Sequence, residues 1–314
     1  MELNPNLSDQ EVFTVAKVTS IFFVGTTILS FFGNSMIILA TIRSKQLHNP
    51  CNILIACQAF CDILLSAGHP PYAYFAFTKT LIFSSECFDV QVVSFSGMNL
   101  STMLILLVGI DRVMSVKFLV TYSRLNPCFY VPSLILIALV YCSALNLLAY
   151  FTRTDELTMC LVPEAYTGLG KNVAFSSHLL INILVLVTYS YLTRIMKKSG
   201  GEAGQKIVKS LRAVVLCTVF GWFITFLMCN TAMMLTKNKN VLLATDMVAG
   251  FFACTHTALP FFIYFWKSSI YRQEFCRILP FFRRVAESYG AQSSMARIQP
   301  SAITPSQISS RNPS

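Results

Sequence analysis

Residues 18–42 read VTSIFFVGTTILSFFGNSMIILATI, a run without a single Asp, Glu, Lys or Arg. A bilayer's hydrocarbon core is roughly 30 Å thick, and a helix needs about 20 apolar residues to cross it. This run is therefore predicted to be a membrane span. Working outward, six further runs of membrane length follow at 51–77, 88–110, 129–151, 173–192, 213–235 and 242–266, each bounded by charged or turn-forming residues. Gly33, Pro70, Pro71, Pro132 and Pro260 fall inside runs, where helices in lipid tolerate them, and they predict kinks.

The composition agrees with this count. Of 314 residues, 54% are hydrophobic and 12% charged, outside the balance of a water-soluble chain. The leader before the first run holds Glu2, Asp9 and Glu11 and no basic segment, so the run reads as a span and not as a cleaved signal peptide.

Lys and Arg accumulate in cytoplasmic loops. One set of connecting segments holds Arg43, Lys45, Lys117, Arg124, Arg194, Lys197, Lys198, Lys206, Lys209 and Arg212, continued by Lys267, Arg272, Arg277, Arg283 and Arg284. The opposite set holds only Lys17, Lys79, Arg153, Lys171, Lys237 and Lys239, with most of the acids. That asymmetry predicts a multi-pass plasma-membrane protein with an extracellular N-terminus and an internal tail. The net charge of +10 is thus a topology signal and points to no nucleic-acid partner.

The expected organisation is an extracellular N-terminus at 1–17, a seven-transmembrane helix bundle at 18–266, a juxtamembrane amphipathic helix at 267–287 and a disordered cytoplasmic tail at 288–314. Short loops make consecutive helices neighbours in an all-α bundle. The longest internal loop is expected at 194–212, with a flexible break at Ser199-Gly200-Gly201. Asn6-Leu7-Ser8 is a glycosylation sequon on the outer side, whereas Asn99-Leu100-Ser101 lies inside a span and is dismissed.

Of eleven cysteines, only Cys87 and Cys160 fall on the outer, oxidising side, so a disulfide between them is the natural inference, with two free thiols as the alternative. Asp62 lies midway through the second run. A mid-membrane acid costs about 2.5–3.5 kcal/mol on insertion scales, so it must face the interior, where it binds a cation, pairs with Asn34 or Ser101, or stays protonated. Asp111-Arg112 closes the third run at its cytoplasmic end, and an uncharged stretch links that pair to the neighbourhood of Cys87.

Seven spans, Gly33-Asn34, Leu54 and Asp62, Cys87 and Asp111-Arg112 at the ends of the third span, and Cys160 in the next loop together resemble the rhodopsin-like G-protein-coupled receptors. The resemblance covers roughly 18–282. Gly109-Ile110-Asp111-Arg112, the ending Pro260-Phe261-Phe262-Ile263-Tyr264-Phe265-Trp266 and Tyr271-Arg272 look like the nematode serpentine chemoreceptors of the SX class. Departures are present. Val113 follows the Asp-Arg pair in place of an aromatic, Trp222 lacks a proline two residues on, Leu259 replaces an Asn before Pro260, and the expected tyrosine is displaced to Tyr264. A sodium site at Asp62, Asn34 and Ser101 would lack its seventh-span partner.

The resemblance implies an extracellular ligand, a small chemosensory molecule or peptide, and a heterotrimeric G protein as partners beside the lipid bilayer. It also implies that Arg112 is held by Asp111 at rest and freed on activation. Gln91, Ser94, Met98 and Ser101 share one face of the third span, and with His178 the first three are candidate pocket residues. Helix packing is the plainer use of such a stripe. Ser94 stands where the family's amine receptors carry an acid, and no lysine lies in 242–266 to hold retinal. A transporter or channel is the alternative function, but no internal repeat or paired broken helices support it. An enzyme would need clustered His, Asp or Glu, and no metal-ligand motif appears.

Overall fold

A computed structural model describes residues 9–199 and 202–288. The helices are α1 (Asp9–Arg43), α2 (Pro50–Ser66), α3 (His69–Thr78), α4 (Ser84–Lys117), α5 (Leu119–Ser123), α6 (Pro127–Thr152), α7 (Gly168–Ser199), α8 (Glu202–Leu235), α9 (Lys239–Ala258), α10 (Pro260–Lys267), α11 (Ser269–Ile278) and α12 (Phe281–Ser288). Two short strands, β1 (Ile82–Phe83) and β2 (Leu157–Thr158), pair antiparallel. Among the described residues, six helical stretches are long and apolar enough to cross a membrane, and the apolar segment Val219–Leu235 of α8 adds a shorter seventh.

The starts of these helices follow from local chemistry. Asn49 accepts from the Asn52 amide ahead of α2, and Asn126 accepts from the Cys128 amide ahead of α6, each followed by a proline at the first helical position. Ser268 caps α11 in the same way through the Tyr271 amide. These residues satisfy amides that the first turn leaves without partners.

The second span breaks between Ser66 and His69, where Pro70 and Pro71 bring no amide hydrogens. The seventh breaks at Leu259-Pro260. Pro132 lies within α6 without ending it, because it falls in the second turn, where one lost hydrogen bond is cheaply borne. Gly33 produces no break in α1. A Cβ there would sit 2.7 Å from the Phe261 Cβ, so this glycine serves the close approach of α1 and α10.

Two expectations are corrected. The internal connection at 194–212 is largely helical, because α7 runs on to Ser199 and α8 begins at Glu202; Gly200 and Gly201 lie outside the described residues. Lys, Arg, Gln and Ala are good helix formers, so a helix need not stop where its apolar stretch stops. The amphipathic segment at 267–287 is two helices, since Leu279-Pro280 cannot continue α11. Asn6 and the tail from 289 onward also lie outside the described residues.

The third span, α4, is the axis of the bundle, buried from Ser84 to Asp111 along one continuous face. A Cβ on Gly97 would meet the Cys61 carbonyl and the Leu65 amide at 2.6 Å, so α2 and α4 touch backbone to backbone there. The outward faces carry Ile21, Ile28, Leu136, Val140, Leu147, Leu180 and Val187, all exposed. A belt of that size suits hydrocarbon and would aggregate in water.

Candidate functional site

Cys87, at the head of α4, is bonded to Cys160 with an S–S distance of 2.15 Å. The bond and the β1–β2 pairing hold the segment between α6 and α7 against the bundle, with the Ser84 amide donating to the Glu156 carbonyl at 2.9 Å. Met159, Cys160, Leu161, Val162, Ala165 and Tyr166 are all buried, so this segment is a plug and not a surface loop. Gln91 anchors it from below, its Nε2 donating to the carbonyls of Gly68 and Cys160 at 3.0 and 3.3 Å.

Beneath the plug lies a partly open chamber with a cavity volume of about 50 Å³. Phe23, Met98, Phe175, Trp222, Phe226 and Ala253 form walls, and Leu161, Val162 and Pro163 form the lid. Of the four anticipated pocket residues only Met98 lines it. Gln91 is a tether, and Ser94 packs under Gly68, where a Cβ would lie 2.7 Å from its Oγ. His178 is fully buried behind the wall, with its Nε2 3.0 Å from Asn99 Oδ1 and its ring stacked on Phe226 at 4.6 Å. The polar stripe of α4 faces neighbouring helices, as glue residues do.

Lys171 at the start of α7 holds two acids at once, Glu164 Oε1 in the plug and Asp246 Oδ2 in α9, each at 2.7 Å. The Asp246 side chain is only 4% exposed. Burial pushes the Glu164 carboxyl above its ordinary pKa, while the Lys171 ammonium pulls it down. Sequence reading missed this cluster, although Asp246 lies inside the run 242–266 and gives the same signal as Asp62.

Asp62 is 1% exposed and accepts from the Ser101 hydroxyl at 2.6 Å. Asn34 does not join it. Its Nδ2 donates to Ser30 Oγ and, across to the seventh span, to the Thr257 carbonyl. Asn34 thus turns a hydrogen-bond donor, not an oxygen, to its neighbours, and Leu259 brings none. The three residues fit a polar clasp between helices better than a sodium cage.

At the other end of α4, Asp111 and Arg112 take separate partners. Asp111 Oδ1 accepts from the Tyr122 hydroxyl of α5 at 2.9 Å, and Arg112 Nε donates to the Cys51 sulfur of α2. Burial, and then the Asp111 carboxylate, raise the Tyr122 pKa, so this phenol stays protonated and donates. The expected hold of Asp111 on Arg112 is therefore replaced by a thiol contact, because the two side chains leave α4 toward different neighbours. Tyr189 of α7 packs against Gly109, and its buried hydroxyl has no partner among the described residues.

Seven apolar helical spans among the described residues, a disulfide-tied plug over a chamber and an Asp-Arg pair at the far end of the same central helix define a G-protein-coupled receptor of the rhodopsin-like class. The family model described as serpentine type 7TM GPCR chemoreceptor Srsx matches residues 27–279, and the chain belongs to that family. Curated relatives agree. Trace amine-associated receptor 3 of Mus musculus is 31% identical over 102 residues, 32% of this chain and 30% of that one. The 5-hydroxytryptamine receptor 1B of Cavia porcellus is 24% identical over 195 residues, 59% and 50% of the two chains. Melatonin receptor type 1B-B of Danio rerio is 23% identical over 301 residues, covering 87% and 84%. The match spans under a third of the first of these relatives and half of the second.

Proposed function

We propose that this receptor sits in the plasma membrane with its N-terminus outside, takes an extracellular ligand in the chamber beneath the plug, and activates a heterotrimeric G protein at the Arg112 end. The observation that carries the reading is that one rigid helix, α4, joins the two: Met98 lines the chamber and Arg112 closes the opposite end. Arg43, Lys117, Arg124, Lys267 and Arg277 cluster at the Arg112 end, which supports its placement in the cytoplasm.

A ligand drives such a change only through unequal affinity for two arrangements. At rest Arg112 is occupied by Cys51 and Asp111 by Tyr122. Activation frees Arg112 to meet the G protein, a task suited to a side chain that stays charged and offers several donors.

Nucleotide exchange on a panel of purified G proteins, with Arg112→Gln as the comparison, tests this. Exchange is expected to vanish in the variant at unchanged surface expression, and equal exchange would remove the mechanism. Antibody access to an N-terminal tag on intact cells tests the orientation.

A further inference from the structure

The ion cluster at Lys171 is not balanced. Glu164 and Asp246 each place a carboxylate oxygen 2.7 Å from the same ammonium, so two acids share one cation, and the Lys171 and Glu164 side chains are only 14% and 15% exposed. With both acids ionised the group would carry a surplus negative charge in a poorly solvated place. A buried charge without a counter-charge is relieved by taking up a proton.

The neighbouring elements bring no second cation to it. Glu164 Oε2 accepts from the Thr158 hydroxyl of β2 at 3.1 Å, and the Cys229 thiol of α8 lies beside Asp246. On α4, Glu86 turns its carboxylate to the Phe83 amide and Asp89 is exposed. Lys239 pairs with Glu156 at 2.9 Å, and Lys237 is exposed on the turn between α8 and α9. Among the described residues, the charges that act on Glu164 are those of Lys171 and Asp246. Burial lifts its carboxyl above the ordinary 4.5, Lys171 opposes this and Asp246 adds to it.

The place of the cluster gives that proton a consequence. Glu164 and Lys171 line a cleft of about 430 Å³ at the Cys87 end of the bundle, while Asp246 lines the chamber one layer deeper. Glu164 also closes the turn that carries the chamber's lid, its amide donating to the Leu161 carbonyl at 2.9 Å. Its carboxylate therefore ties the lid to α7 and, through Lys171, to α9.

Resting on the receptor reading above, which puts this end outside the cell, we infer that the cluster is a latch set by extracellular acidity: with a proton on Glu164 or shared with Asp246 it holds the plug shut, and loss of that proton loosens the plug over the chamber. A carboxyl that binds its proton more tightly in the closed arrangement than in water favours closure at low pH. That preference is lost as pH rises through the closed-state value. Between 4.5 and that value, opening becomes about tenfold easier per pH unit.

Deuterium uptake by the plug segment 157–166, in the full receptor in phospholipid nanodiscs and corrected for the intrinsic rate at each pH, reads this opening. Protection is expected to fall by about tenfold per pH unit over a window that begins above pH 4.5, while the amides of α4 show no such step. Glu164→Gln, which keeps a neutral group where the protonated acid stood, should stay protected without the step. Asp246→Asn, which leaves one acid to one lysine, should remove the step as well.

No step in the unaltered receptor, a step of the opposite sign, or a step that survives either variant overturns the latch. Nucleotide exchange on the G-protein panel, measured in the same preparations, separates the two readings. A step without exchange from any G protein at any pH keeps the latch and breaks the receptor reading, and exchange without the step does the reverse.

Discussion

The two ends of α4 are held by different kinds of chemistry. At the Cys87 end a covalent bond, a two-strand ladder and a three-member ion cluster tie the plug to α4, α7 and α9. At the Arg112 end the holding partners are a thiol and a phenol, neutral groups that give a charged side chain a hydrogen bond and no counter-charge. The first end is built to keep one shape. The second is built so that its contacts can be exchanged at small cost, which is what a two-state element requires.

The sharpest way to break that contrast is to loosen the fixed end. Lys171→Met leaves Glu164 and Asp246 facing each other without their cation, and removing one partner of a buried ion cluster typically costs about 3–5 kcal/mol. A fall in thermal stability is expected, partly restored when Asp246→Asn is added. An unchanged unfolding temperature in nanodiscs would show the cluster to be idle.

Cys87→Ser comes next. The bond closes a loop of 73 residues, and losing a disulfide commonly costs about 2–5 kcal/mol, reduced here because membrane insertion already restrains the unfolded chain. Retention inside the cell is the expected result. Normal surface levels with both thiols open to labelling would mean the plug holds without it.

These effects also mark how much was legible beforehand. Length, hydropathy and charge located the spans, because a bilayer imposes those on any chain that crosses it. The Cys87–Cys160 pairing and the need of Asp62 for an interior partner followed from what an oxidising compartment and a buried acid demand, whereas the choice of Ser101 over Asn34 or a cation did not. The chamber did not follow. Periodicity shows that Gln91, Ser94 and Met98 share a face of α4, but the rotation of that helix against α2 and α3 decides what the face meets, and Gly68 and Gly97 set it. The departures noted near Trp222 and Pro260 likewise said that the sixth and seventh spans differ, not that the Trp222 N–H would be buried without a partner among the described residues.

At the exchangeable end the expected effects are smaller. Tyr122→Phe removes a hydrogen bond to a carboxylate, worth about 1.5–3 kcal/mol, from the arrangement with α5 docked on Asp111. Ligand-independent nucleotide exchange should rise, and the unfolding temperature should fall by less than in Lys171→Met. No change in either measurement would mean that Asp111 is held by other groups.

Cys51→Ala probes the smallest and most telling term. Only Arg112 loses a partner, and a single hydrogen bond is worth about 0.5–1.5 kcal/mol, so folding should be nearly untouched. The same energy acts directly on the resting-to-active balance. A bias of about 1.4 kcal/mol changes a two-state ratio tenfold, so basal exchange should rise by several-fold up to about tenfold. Cys51→Ser, which keeps an acceptor at that place, should return it toward the starting level. If Cys51→Ala instead lowers exchange, the thiol steadies the active arrangement of Arg112, and the soft end of α4 is poised in the opposite sense.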